Sequence, residues 1–300
     1  MNDTEAPIPY MERTRHYYRA LGYANDYVWA TFDDVPFTPP AKRLSDLRIA
    51  LISTASPLDF DGVKRVWSGV VSPPPEKLFT DNVAWDKEST HTNDLGSFLP
   101  IGTAFELVAD GIIAGLTTRF HGVPTEYSQR KTKTKDAPEI LARVREDGAD
   151  AAILCPLCPV CHQTVSLVAR HLEANGIPSV IIGSALDVVE HCGVSRFYFT
   201  DFPLGNPCGH PWRPDMQREI VRQALALFET SKAPRTTVKA PFAWNEEGAV
   251  WRARYGRVDP TDRERLLKLG DVSKHNPSRR LPIENHPNDC ELDEKFRERS

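Results

Sequence analysis

The chain has 300 residues, 40% hydrophobic and 26% charged, with a formal net charge of −4. That balance, with no basic stripe interleaved with aromatics, disfavours nucleic acid as a partner. No apolar run approaches the ~20 residues that a membrane-spanning helix needs, so no membrane is expected. The length suits one large domain or two modest ones with a self-sufficient core.

In chain order, Met1 to Pro7 lacks the basic and apolar regions of a secretory signal, so a cytoplasmic location is expected. Thiols are kept reduced there, and clustered cysteines then read as catalytic or metal-binding rather than as structural disulfides. Residues 1–46 read as an N-terminal arm. Tyr10 to Leu21 has helical character with Gly22 as a stop, and the prolines of Asp34-Val35-Pro36-Phe37-Thr38-Pro39-Pro40 force an extended segment.

Arg48 to Thr54 is a β-rich run expected to be a buried first strand. Residues 57–88 show no periodicity, and Trp67 and Trp85 within them read as packing anchors. Thr103 to Ala114 has helical spacing, and Leu116 to Val123, carrying Arg119, reads as a strand. The polar and basic stretch 125–136 is expected to be an exposed loop. A short helix from Pro138 to Glu146 follows.

From residue 151 the pattern becomes regular. An apolar strand, 151–154, leads into Cys155-Pro156-Leu157-Cys158-Pro159-Val160-Cys161-His162, and a helix, 163–174, leads out with Val165, Val168 and Leu172 on one face. Strands are expected at 178–183 and 195–200, a helical turn from Leu186 to His191, and an amphipathic helix from Met216 to Glu229. Alternating strands and helices predict an α/β fold, a doubly wound, mostly parallel, Rossmann-like sheet. In such sheets sites lie outside the carboxyl ends of the strands. The expected organisation is an arm (1–46), an α/β domain (47–235) with two candidate lobes (47–125 and 137–235), and a charged, Pro-containing extension (236–300) with a candidate helix at 260–268.

Three of the six cysteines fall within seven positions. Cys158 and Cys161 form a C-x-x-C at a strand-to-helix junction, where free backbone N–H groups and the helix dipole stabilise a thiolate. Cys158 is the candidate nucleophile, Cys161 the candidate resolving thiol, and His162 a candidate to tune them. Two other readings stay open. Cys155, Cys158 and Cys161, completed by Cys208, Cys192, His162 or His210, could ligate iron–sulfur or zinc, or the cysteines could be small core hydrophobes. Candidate substrate-binding residues are His91 and Asp94 in a polar turn, Arg119 for a carboxylate, and Asn206 and His210 in a loop expected to face Cys158.

Several motifs, in this order along the chain, resemble one family. They are Glu12-Arg13-Thr14-Arg15 with Tyr17-Tyr18-Arg19-Ala20-Leu21-Gly22-Tyr23, Asp34-Val35-Pro36-Phe37, His91-Thr92-Asn93-Asp94, Asp110-Gly111-Ile112-Ile113, Cys158-Pro159-Val160-Cys161-His162-Gln163-Thr164-Val165, Gly176-Ile177-Pro178, and Phe202-Pro203-Leu204-Gly205-Asn206-Pro207. Over roughly residues 10–230 the chain resembles the glycine/sarcosine/betaine/D-proline reductase selenoprotein B family. The resemblance implies an oxidoreductase that cleaves a bond reductively, typically C–N, through a selenol or thiol. Cys158 stands at the family's selenocysteine position and Cys161 at that of its second cysteine. It further implies a pyruvoyl group on a partner subunit that activates an amine substrate. Together with the C-x-x-C this gives the expectation of a redox-active dithiol, a small amine- or carboxylate-bearing substrate, a thioredoxin-like reductant, and a partner subunit or a homo-oligomer.

Overall fold

The computed structural model describes residues 6–244, 250–259, 261 and 263–268. The chain begins with helix α1 (Tyr10–Ala20) and an extended arm, then enters strand β1 (Arg48–Ser53). Strand β2 (Trp67–Val70), helix α2 (Ile101–Ala109), and strands β3 (Gly115–Leu116) and β4 (Arg119–Gly122) follow. Next come helices α3 (Gln129–Lys131) and α4 (Ala137–Glu146), separated by a π-helical turn at Thr132–Asp136. Then strands and helices alternate through β5 (Ala151–Cys155), α5 (Pro159–Ala174), β6 (Ser179–Gly183), α6 (Leu186–Cys192), β7 (Arg196–Phe199) and α7 (Pro214–Thr230). Strand β8 (Thr236–Lys239) and helix α8 (Val250–Arg254) complete the named elements.

One eight-stranded sheet runs in the order β2-β4-β1-β5-β6-β7-β8, with β3 also paired to β1. Every pairing is parallel except that of β2 with β4. The fold is the expected α/β, mostly parallel sheet. Strand periodicity explains its two covered faces. Ile49, Leu51, Ile153, Val180 and Ile182 point to one core, shared with Leu107 of α2 and Ile220, Ala224 and Phe228 of α7. The alternate residues Ala50, Ile52, Ala152, Leu154 and Ile181 point to the other, shared with Ile140 and Val144 of α4 and Val165, Val168 and Leu172 of α5. Each aliphatic side chain so buried contributes on the order of 1.5–3 kcal/mol.

Three stretches depart from the sequence expectation. Residues 125–136 are not an exposed loop. Ser128 Oγ accepts the N–H of Lys131 at 3.2 Å and starts a helix that continues into α4. Lys133 and Lys135 face water while Thr132 and Asp136 are fully buried, packed toward α5. The run of basic residues hid this two-sided pattern. Residues 57–88 contain β2, whose antiparallel pairing with β4 is too short to show a period. Thr236–Lys239, just past the expected start of the extension, pairs with β7 as the last strand.

Much of the extension over 236–300 lies outside the described residues. Residues 263–268 are helical within the candidate helix at 260–268. Its Leu266 is buried against Tyr18 and Leu21, and Arg252 Nη1 donates to Asp201 Oδ1 at 2.6 Å. Among the described residues, no helix is long and apolar enough to cross a membrane.

Candidate functional site

Because the central strands are parallel, their carboxyl ends share one edge. Thr54 after β1, Val123 after β4, Cys155 at the end of β5, Ser184 after β6 and Thr200 after β7 line it. The cysteine loop sits in the middle of this edge. Leu157 N donates to Thr54 Oγ1 at 3.1 Å, which pins the loop to the neighbouring strand.

Cys158 is the N-cap of α5. Its Sγ accepts the N–H of Cys161 at 3.2 Å, and Pro159 occupies the first turn, where a missing N–H costs nothing. Cys158 and Cys161 are paired as a disulfide with Cα atoms 4.8 Å apart. Thr125 Oγ1 lies 3.0 Å from Cys161 Sγ. A hydroxyl and the N-terminus of α5 thus face the two sulfurs.

A narrow cleft, open to solvent, leads to Cys158. Its walls include Ser56, Phe60, Lys64, Trp67, Asn82, Thr125 and Tyr127. Trp67 is held by donation from its indole Nε1 to Ala55 O at 3.1 Å. It lies so close to Gly122 that a Cβ there would sit 1.7 Å from the indole nitrogen, so only glycine fits. Asn82 Nδ2 donates to Ser56 Oγ at 2.9 Å. Lys64 Nζ stands 5.4 Å from the Tyr127 ring centroid. Burial pulls its pKa down, against the opposing pull of Glu126. Burial also raises the Tyr127 phenol, which therefore stays neutral.

His162 is fully buried with both ring nitrogens committed. Nε2 accepts the N–H groups of Ser184 and Ala185, so Nδ1 carries the proton and donates to Cys158 O at 2.7 Å. Burial holds its pKa down at about 4, and the ring is neutral. It meets Cys158 through the carbonyl rather than the sulfur. Gly183 is what lets the ring in, since a Cβ there would fall 2.8 Å from Nε2.

The structure brings Cys158, Cys161 and His162 together, and places the other candidates elsewhere. Asn206 is buried and donates to His91 O and Ser97 Oγ while accepting from Thr90 Oγ1. Asp94 accepts from Gly96 N, Trp212 N and Gln217 Nε2, which makes it an organiser of two loops. The His91 ring lies against Trp212, and His210 stacks on Trp244 with centroids 3.7 Å apart. Arg119 is at the amino end of β4, the opposite edge of the sheet. There it forms a bidentate pair with Asp147 and a second ion pair with Glu146. None of these five lines the cleft at Cys158.

Cys208 Sγ lies 3.5 Å from Cys155 Sγ, and both are buried. Among the described residues, no three His, Cys, Asp or Glu side chains are grouped to hold a metal ion. Lys64, Asn82, Thr125 and Tyr127 were not singled out from sequence. The one signal in the sequence is Gly122 within the strand-like run Leu116 to Val123, since a glycine inside a strand marks a close approach.

Comparison with known proteins adds a relationship. The chain is 29% identical over 226 residues to the D-proline reductase subunit gamma of Acetoanaerobium sticklandii, covering 70% of this chain and 92% of that one. It is 24% identical over 223 residues to the glycine reductase complex component B subunit gamma of Symbiobacterium thermophilum, covering 69% of this chain and 52% of that one. To the sarcosine reductase complex component B subunit beta of Peptoclostridium acidaminophilum it is 20% identical over 230 residues, covering 71% and 52%. The chain thus spans about half the length of its glycine and sarcosine reductase relatives. No family model and no solved structure matches it.

Proposed function

We propose that this chain, a cysteine-containing homologue of the glycine/sarcosine/betaine/D-proline reductase selenoprotein B family, is the thiol-bearing subunit of a reductase that cleaves a C–N bond in a small amino carboxylate. The observation that carries this reading is Cys158, capping α5 on the wall of the cleft with Cys161 in bonding contact behind it. In the reduced state, Cys158 Sγ attacks the carbon that bears nitrogen. The C–N bond breaks, and the amine leaves with a proton. Cys161 Sγ then attacks Cys158 Sγ, the S–C bond breaks toward carbon, and carbon takes the second proton. The balance is one C–N bond and two thiols converted to C–H, N–H and a disulfide. A thioredoxin-like dithiol returns the disulfide to two thiols.

Lys64 supplies the cation for a substrate carboxylate, and Phe60 and Trp67 enclose its apolar part. The pyruvoyl group implied by the family resemblance would come from a partner subunit, where it would withdraw electrons from the amine nitrogen. The cleft mouth, open to solvent, is where such a partner would present substrate. The test supplies reduced protein, with a dithiol reductant and a candidate pyruvoyl-bearing partner, with D-proline, glycine or sarcosine, and follows product. Wild type turns over and Cys158→Ser does not. Undiminished turnover by Cys158→Ser overturns the reading. Alkylation of reduced wild type across pH should show Cys158 titrating below the free-thiol value of ~8.5.

A further inference from the structure

We propose that Cys155 and Cys208 are a second dithiol–disulfide couple, which takes over the oxidised state of Cys158–Cys161 and lets one chain hold four electrons instead of two. The inference rests on the thiol cycle proposed for Cys158 and Cys161, and it assigns work to two cysteines that cycle leaves unused.

Cys155 ends β5 and Cys208 lies in the loop after β7, 53 positions away. Their sulfurs are 3.5 Å apart, and the side chains are 1% and 0% exposed. The loop around Cys208 is fixed, with Cys208 N donating to Ser97 O at 2.8 Å and Thr200 Oγ1 donating to Pro207 O at 2.8 Å. A disulfide requires the sulfurs to close to about 2 Å with a Cβ–S–S–Cβ dihedral near 90°. Both cysteines belong to the same continuous core as Cys158 and Cys161. Cys155 is three residues from Cys158, a span of at most ~11 Å even when fully extended.

The transfer needs no outside oxidant. Cys155 Sγ gives up its proton and attacks Cys158 Sγ. The Cys158–Cys161 bond breaks and Cys161 leaves as a thiolate, which takes a proton. Thr125 Oγ1, 3.0 Å from Cys161 Sγ, is placed to donate to that thiolate. Cys208 Sγ then loses its proton and attacks Cys155 Sγ, and Cys158 leaves and is protonated. Two thiols are oxidised and one disulfide is reduced. Burial raises the Cys208 pKa well above that of a free thiol, with Cys155 adding to the effect. With both side chains buried and neither lining the cleft, Cys158 is the sulfur that meets solvent oxidants first. Cys192 is an internal control. It is buried in a separate cluster with Ala30 and Leu167, and burial pushes its pKa up to about 12.

The experiment gives anaerobically reduced protein an excess of glutathione disulfide, quenches in denaturing acid, alkylates and maps the cysteine peptides. The Cys158–Cys161 disulfide should appear first and the Cys155–Cys208 disulfide second. Thiol loss among the five described cysteines then reaches four per chain, with Cys192 still a thiol. In Cys158→Ser, Cys155 and Cys208 should stay reduced. In Cys208→Ala the loss should halve to two, with Cys158–Cys161 still forming. If wild type stops at two, with Cys155 and Cys208 free, the couple is wrong and the Cys158–Cys161 cycle stands. Formation of Cys155–Cys208 at the wild-type rate in Cys158→Ser would overturn the relay. If Cys158 and Cys161 never pair, the underlying cycle fails and this couple fails with it.

Discussion

His162 Nε2 lies 2.8 Å from the backbone nitrogen of Ser184, across the gap between the start of α5 and the end of β6. This bond fixes the tautomer, because an accepting Nε2 leaves the proton on Nδ1, which holds the Cys158 carbonyl. The ring is therefore a clamp between two strand ends and a positioning residue for Cys158. Its pKa, held at about 4 by burial, lies below the unfolded value of ~6.5. The folded state then binds fewer protons than the unfolded state between those limits. Stability present above pH ~6.5 is lost as pH falls toward 4, by up to ~1.4 kcal/mol per pH unit for this one group.

His162→Leu should therefore lose roughly 1–3 kcal/mol at pH 7, because the buried N–H groups of Ser184 and Ala185 lose their acceptor. It should also show a shallower fall in stability between pH 6.5 and 4 than wild type. Urea midpoints at four pH values measure both. Parallel curves for the two proteins would mean that His162 does not titrate as described. His121, also buried and also held at about 4, remains in both proteins and contributes to the residual slope.

Lys64 is the cation closest in role to a substrate anchor, since it shares the cleft wall with Cys158. The other cationic wall residue, Arg65, is paired with Asp61 at 2.9 Å. An ammonium near a reacting thiolate should favour an anionic alkylating agent over a neutral one. The ratio of iodoacetate to iodoacetamide rates at Cys158 in reduced protein should fall about 3- to 10-fold in Lys64→Met. That corresponds to a partly screened interaction of about 1 kcal/mol. The difference should shrink in high salt. An unchanged ratio removes Lys64 from the anion-binding role.

The central sheet was legible because buried parallel strands are continuous apolar runs. Ala151–Cys155 and Ser179–Gly183 are buried at every position, and the prolines and glycines around them mark the turns. The C-x-x-C stood out for the same reason: its position between strand and helix follows from the flanking periodicities. The cleft was not legible. Ser56, Phe60, Lys64 and Asn82 sit in irregular chain, where nothing local says which side chain turns inward. Asn206 and Asp94 were visible as polar loop residues, but their partners are 109 to 123 positions away in the chain, and those partners decide that they brace loops. For Arg119, the sequence shows a strand that carries it but not which edge of the sheet it reaches. The parallel register places it at the amino edge, away from the cysteines.

The arm is held to the body by a fully buried ion pair. Arg196 Nη1 donates to Glu173 Oε1 at 2.8 Å, and both side chains are 0% exposed. Thr38 completes the knot, its N–H donating to Glu173 Oε2 at 2.6 Å and its carbonyl accepting from Arg196 Nη2 at 2.9 Å. Phe37 covers the guanidinium, its ring centroid 4.5 Å away. Glu173→Gln leaves the buried guanidinium without its counter-charge and should cost about 3–5 kcal/mol. The double variant Glu173→Leu, Arg196→Met should cost less than the single one. Limited proteolysis should show cleavage within residues 26–40 appearing first in Glu173→Gln. A double variant as unstable as the sum of its parts would contradict the role of unpaired charge.

Asp136 tests the same electrostatics with the opposite sign. It ends the π-helical turn, is 0% exposed, and neither carboxylate oxygen has a hydrogen-bond partner among the described residues. Burial, followed by the negative charge of Glu126, raises its pKa to about 6. A folded pKa above the unfolded one means that the folded state binds the proton more tightly. The group's favourable contribution is thus fully present below the ordinary aspartate range and is lost as pH rises through about 6. At neutral pH the fold carries a buried, unpartnered carboxylate. Asparagine has nearly the same shape and no charge at any pH. Asp136→Asn should therefore be more stable than wild type at pH 8, by about 1–3 kcal/mol for a shift of this size. The gain should vanish near pH 4, where wild type is protonated. Chemical denaturation at pH 4 and pH 8 decides it. Equal destabilisation at both values would show that the carboxylate has a partner and contributes to stability.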